Sequence, residues 1–278
     1  MRFKLNITHL AAAMALAGLT SSSRADELAE KGRDIFKKNQ HAVVTVQEVL
    51  KVSAPGASRA NEAKQELTGT VLDPSGLTVL ALSACDPSEM YQRMLGSDAS
   101  RGRVETEISD MKILLDDGTE MPAEIVLRDK DLDLAFIRPK AKPATPMASV
   151  DMSKTSPAQV LDQVVTLNRL NSAAGRAYSA SAERISAVVQ KPRTFYIPDS
   201  NMTSTTLGSP AFAMDGKLVG VMVMRAVNSK GGATRNYRDS LTTIILPADD
   251  ITKAAAQAPE AKGEPEKKDA PKETKDAK

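Results

Sequence analysis

Residues Thr203 to Met224 read T-S-T-T-L-G-S-P-A-F-A-M-D-G-K-L-V-G-V-M-V-M. A turn of small residues leads into a short apolar strand, Ala211–Ala213. Met214-Asp215-Gly216-Lys217 turns the chain back, and Leu218–Met224 forms a second apolar run. Asp-Gly between two apolar runs is a strong hairpin signal, because both residues tolerate the positive backbone angles of tight turns.

The same rhythm runs outward through the chain. A β-branched run opened by His41 and continuing from Ala42 to Leu50 predicts a first strand. Leu67–Leu72 and Leu77–Leu82 flank the turn Asp73-Pro74-Ser75-Gly76, with Ser53–Lys64 before them as a polar loop. Met111–Leu115 and Glu120–Leu127 flank Asp116-Asp117-Gly118, and Leu132–Ile137 follows with Asp133 at its entry. Gly96–Glu107 reads as a charged, mobile loop. Asp86-Pro87-Ser88-Glu89 carries a cap, a first-turn proline and an acid, which predicts a short helix to Leu95. Val164–Leu167, Ala177–Val189, Arg193–Ile197 and Leu241–Leu246 complete a second set of strands around the opening stretch, with Asn228–Arg238 as a polar loop. Many short strands separated by turn chemistry indicate an antiparallel barrel or sandwich rather than βαβ units.

Pro139–Ala158 holds four prolines and few apolar residues, and separates the two strand sets as a linker. The expected organisation is therefore a leader at 1–25, a first unit at 26–138, the linker at 139–158, a second unit at 159–252 and a tail at 253–278. Asp26–Asn39 spaces Leu28, Ala29, Ile35 and Phe36 as a short amphipathic helix. The tail has seven lysines against six acids and no aromatic residue, a composition that predicts disorder.

The leader has Arg2 and Lys4, an apolar run Leu10–Leu19 too short to cross a bilayer, and Ser23-Arg24-Ala25 at the cleavage point. These features read as an export signal, with a periplasmic or secreted destination and no integral membrane segment after cleavage. The whole chain has 37 basic and 35 acidic residues. Losing Arg2, Lys4 and Arg24 leaves it near neutral, without a field to gather nucleic acid or anionic lipid. Basic residues are dispersed and lack aromatic interleaving, so no nucleic-acid partner is expected. Cys85 is the single cysteine, which forbids an intrachain disulfide and reads as a small buried hydrophobe. One cysteine and one histidine beyond the leader cannot supply an ordinary zinc site, and no glycine loop before a helix cradles phosphate. No metal and no cofactor is expected.

Three segments together resemble the trypsin-like serine protease fold, in its bacterial HtrA/Deg form. Thr70–Leu80 resembles that family's first-barrel strand pair, Glu124–Ile137 its D-x-x-x-D-L-A-V-L segment, and Thr203–Met224 with Leu241–Ile251 its nucleophile hairpin and closing strand. The resemblance spans about Asp26 to Ile251. It implies an all-β chain of two six-stranded antiparallel barrels packed side by side, with the N-terminal helix and the disordered tail outside them. Proteases of this type continue into a peptide-binding PDZ module; the expectation here is that the tail stands in its place.

Carried over by position, the triad falls on Ser83 for the histidine, Asp133 for the aspartate and Leu207 for the serine, so Asp133 alone is kept. The turn Thr205-Thr206-Leu207-Gly208-Ser209 becomes a candidate wall of the cleft, and Thr205 stands where the turn's first glycine would be. A serine hydroxyl needs an adjacent base, and His41 reads as a strand-end residue remote from the cleft. Asp133 then reads as a turn cap, and Leu207 as a filler of the cleft or a contact for an apolar ligand. The resemblance thus implies a pseudoprotease that binds a protein or peptide. Two alternatives stay open: a peptidase working through a non-standard serine such as Ser209 or Ser83, and a cell-envelope scaffold acting through the tail and first helix.

Overall fold

The computed structural model describes residues 27–53, 60–95, 102–199, 206–226 and 241–260. The expected leader, the residues Ser204 and Thr205, the Asn228–Arg238 loop, the first half of the Gly96–Glu107 loop and the tail beyond residue 260 lie outside the described residues. No described helix is long and apolar enough to cross a membrane.

Twelve described strands close two antiparallel barrels. The first contains β1 (Val43–Ser53), β2 (Asn61–Val71), β3 (Thr78–Ala81), β4 (Glu105–Leu114), β5 (Glu120–Asp129) and β6 (Leu134–Pro139), in the order β1-β2-β3-β6-β5-β4. The second contains β7 (Gln163–Arg169), β8 (Tyr178–Val189), β9 (Phe195–Pro198), β10 (Pro210–Ala213), β11 (Leu218–Ala226) and β12 (Leu241–Pro247), in the order β10-β11-β12-β9-β8-β7. The all-β, two-barrel expectation holds.

Strand alternation builds three apolar clusters instead of two. Val46, Leu80, Ile113 and Ile137 fill the first barrel, and Ile185, Tyr196, Met222 and Ile245 fill the second. Their strand neighbours point the other way, as successive side chains must. Val79, Phe136, Val223, Ile244 and Leu246 meet between the barrels with Leu167 and Phe212. Val79, Phe136 and Val223 are each fully buried, so this seam is a packed core.

The two ends of the chain cross over it. Helix α1 (27–39) adjoins the first barrel in sequence but seats Ile35 beside Gly216 and Gly32 beside Val165, both of the second barrel. Helix α4 (Ala248–Ala255) follows the second barrel and buries Ile251 and Ala254 in the seam. Beyond it, the Pro259 carbonyl accepts a bond from Arg138 Nε of β6 at 2.9 Å.

Several boundaries differ from the sequence expectation. His41 lies in a 3-10 turn, Gln40–Ala42, and β1 begins at Val43. β2 begins at Asn61 and β4 at Glu105, inside segments expected as loops. These arms are polar and exposed at their outer ends, so no apolar alternation marked them. Lys253–Ala255, expected in the tail, complete α4, where Ala254 is buried. The expected strand end at Leu82 is instead the start of a one-turn helix α2 (Leu82–Cys85). The expected helix after Asp86 is α3 (Ser88–Leu95).

Candidate functional site

The barrels face each other where β3 ends and β6 begins. Asp133 precedes β6 with φ 59°, a left-handed conformation that Asp tolerates better than most side chains. This aims its carboxylate at α2. Oδ1 accepts the Ser83 amide at 2.7 Å and Oδ2 accepts the Ser83 hydroxyl at 2.9 Å. Oδ2 also accepts the Met224 amide of β11 at 2.8 Å, which ties the first barrel to the second. Burial pushes the Asp133 carboxyl up to about 6, against those three bonds, which favour the charged form. The seven-residue count from Gly76 and the acid before Leu134 thus place Ser83 and Asp133 in direct contact.

Leu207 does not project into a cleft. Its side chain is 4% exposed and belongs to the cluster between the barrels. Gly208 follows with φ 90°, and an added Cβ would sit only 2.1 Å from the Thr68 carbonyl oxygen of β2. Thr70 Oγ1 donates to the Gly208 carbonyl at 2.7 Å, and the Gly208 amide donates to Met222 at 2.7 Å. Backbone contact this close requires glycine. Ser209 is wholly buried; its amide donates to the Thr206 carbonyl and its hydroxyl to Asn168 Oδ1 at 3.4 Å. Thr205 lies outside the described residues.

Ser83 and Asp133 open onto a groove of about 440 Å³. Leu132, Glu89 and Lys130 of the first barrel line one wall, and Arg193, Phe195 and Arg225 of the second line the other. Past Met222, no described strand pairs with β11 on the side that β10 occupies earlier. The β10 partner ends at Val221, and the next groups on that side are Met224 and Ala226. Met224 N–H already points there, toward Asp133.

A family model described as trypsin-like peptidase domain matches residues 37–221. The chain belongs to the trypsin-like peptidase family. No curated protein matches it.

Sequence reasoning missed a second cluster of this trypsin-like domain. His41 Nδ1 meets Asp116 Oδ2 at 2.7 Å, and Arg169 Nη1 of β7 donates to Asp116 Oδ1 at 2.8 Å. The Tyr178 hydroxyl of β8 donates to both Asp116 oxygens at 2.5 Å. The Arg169 guanidinium lies 4.0 Å from the centre of the Tyr178 ring, and Phe36 of α1 meets that ring edge-on. His41 is therefore part of a clasp between the barrels instead of an idle strand end. Partial burial raises the Asp116 carboxyl, but the Tyr178, His41 and Arg169 contacts outweigh it and hold the group below its ordinary value. The same burial and the Asp116 charge push the Tyr178 phenol up.

Asp116 is half exposed, so the clasp is worth less than a buried network. Asp116→Asn is expected to lower stability by about 1 kcal/mol in urea unfolding. The loss should shrink in high salt, and no loss at low salt would refute the clasp.

Beneath α2 lies a buried acid. Glu48 of β1 is fully buried; Gln65 Nε2 donates to its Oε1 at 2.6 Å and to the Ala84 carbonyl at 3.2 Å. Its Oε2 has no hydrogen-bond partner among the described residues. Burial pushes the Glu48 carboxyl up to about 8. Cys85, next to Ala84 in α2, is buried as expected, and its thiol is also pushed up by burial.

Proposed function

We propose that this chain is an exported, HtrA/Deg-like member of the family that has lost peptidase activity and binds an extended segment of a protein or peptide. The observation that carries this reading is the Ser83–Asp133 pair. A hydroxyl holds the carboxylate contact that the family resemblance gives to an imidazole. A serine hydroxyl cannot serve as the general base for another residue, and Leu207 offers no nucleophile. Loss of triad members costs about four to six orders of magnitude in rate.

The groove supports the binding half of the reading. Met224 and Arg225 of β11 line it, past the point where any described strand pairs with β11 on its β10 side. An extended peptide can add to such an edge through main-chain hydrogen bonds. Export rests on the composition of residues 1–25.

A fluorophosphonate probe is expected to leave the purified protein unlabelled, and casein to remain uncut. Labelling that disappears in Ser83→Ala or in Ser209→Ala would establish the opposite reading, a peptidase with a displaced nucleophile.

A further inference from the structure

The two walls of the groove differ in charge. On the first-barrel wall, Glu89, Asp131 and Asp133 outnumber Lys130, which pairs with Glu89 at 3.2 Å. On the second-barrel wall stand Arg193 and Arg225, with no acid beside them among the lining residues. Among the described residues neither arginine forms an ion pair.

Arg225 also breaks the pattern of its strand. Val221, Val223 and Arg225 share one face of β11 by the two-residue period. The first two are fully buried in the cluster between the barrels. The face that buries valine therefore ends on a cation just where it reaches the groove. The guanidinium is not loose there: it lies 5.0 Å from the centre of the Phe195 ring, itself almost wholly buried. An aromatic floor orients the planar head and leaves its N–H groups for a ligand. A carboxylate is the group whose two oxygens match that fork.

We propose that the groove selects an extended peptide carrying an aspartate or glutamate side chain, received by Arg225 with Arg193 beside it. This rests on the reading of the groove as a peptide site. The ligand acid is an internal side chain rather than a chain terminus, because the groove follows a strand edge along which a peptide continues in both directions. The acidic opposite wall sharpens the choice, since it repels a ligand acid placed the other way round.

The test uses the full chain and octapeptide pools, acetylated and amidated, with one position at a time fixed as Glu, Gln, Lys or Leu. Binding is read by fluorescence polarisation. At one position Glu is expected to bind about tenfold tighter than Gln, a difference of about 1.4 kcal/mol. Arg225→Met combined with Arg193→Met should bring Glu and Gln within about twofold, while the Leu pools keep their affinity. The Glu-to-Gln comparison on the unaltered protein stands even if that variant fails to fold. Equal binding of Glu and Gln pools would overturn acid selection while leaving peptide binding intact. A preference that emerges only with a free C-terminus would replace it with terminal capture. Failure of every pool to bind would overturn the peptide-site reading itself.

Discussion

Gly208→Ala is expected to lower the melting temperature by more than about 10 °C, a loss of about 4 kcal/mol or more. Two effects combine. At φ 90° a side chain is strained wherever it points, at about 1–2 kcal/mol. The new Cβ would also lie 2.1 Å from the Thr68 carbonyl oxygen and 3.1 Å from its carbon, both on the other barrel. Neither barrel can yield without losing the Thr70–Gly208 bond or opening the packed seam around Leu207. Gly118→Ala separates the two effects. Gly118 has nearly the same angle, φ 84°, with nothing within 4 Å of its added Cβ, so it should cost about 1 kcal/mol. Similar losses for both variants would show that strain alone acts at Gly208.

Glu48→Gln is expected to stabilise the protein, and increasingly so as pH rises. The folded chain keeps the Glu48 proton up to pH about 8, whereas the ordinary value is 4.5. Between these limits the unfolded chain has lost a proton that the folded chain retains. Stability of the unaltered protein therefore falls with rising pH by about 1.4 kcal/mol per unit, and levels off above pH 8. Glutamine keeps the shape and an oxygen for Gln65 but does not ionise. The two proteins should be close near pH 4.5 and differ by on the order of 4 kcal/mol near pH 8. Parallel stability curves across that range would show that Glu48 is not held neutral.

The barrels were legible because their turns are local. Asp73–Gly76, Asp116–Gly118 and Met214–Lys217 each declare a hairpin within four residues. Ser83 and Asp133 were legible because a fixed strand geometry converts a residue count into a position. The Asp116 clasp was not, since it joins residues 41, 116, 169 and 178 and uses ordinary polar types found in any turn. Arg225 hid for a related reason: an arginine after an apolar run looks like a strand end until its partner ring, Phe195, is seen. The outer arms of β2 and β4 carry too little apolar alternation to announce strands, because solvent reaches them.

The crossing of the chain ends bears on how such a molecule is made. Helix α1 is made before either barrel, yet the seat for Ile35 at Gly216 belongs to the β10–β11 hairpin, made only after the whole first barrel. The Pro259 carbonyl that holds Arg138 of the first barrel emerges later still. Until the second barrel is made, Val79 and Phe136 of the first lack the side chains that complete their cluster, Leu167, Phe212 and Val223 among them. Completion of the second barrel and α4 is thus the step that shuts the domain, and a chain stopped short of it is the species most exposed to proteolysis.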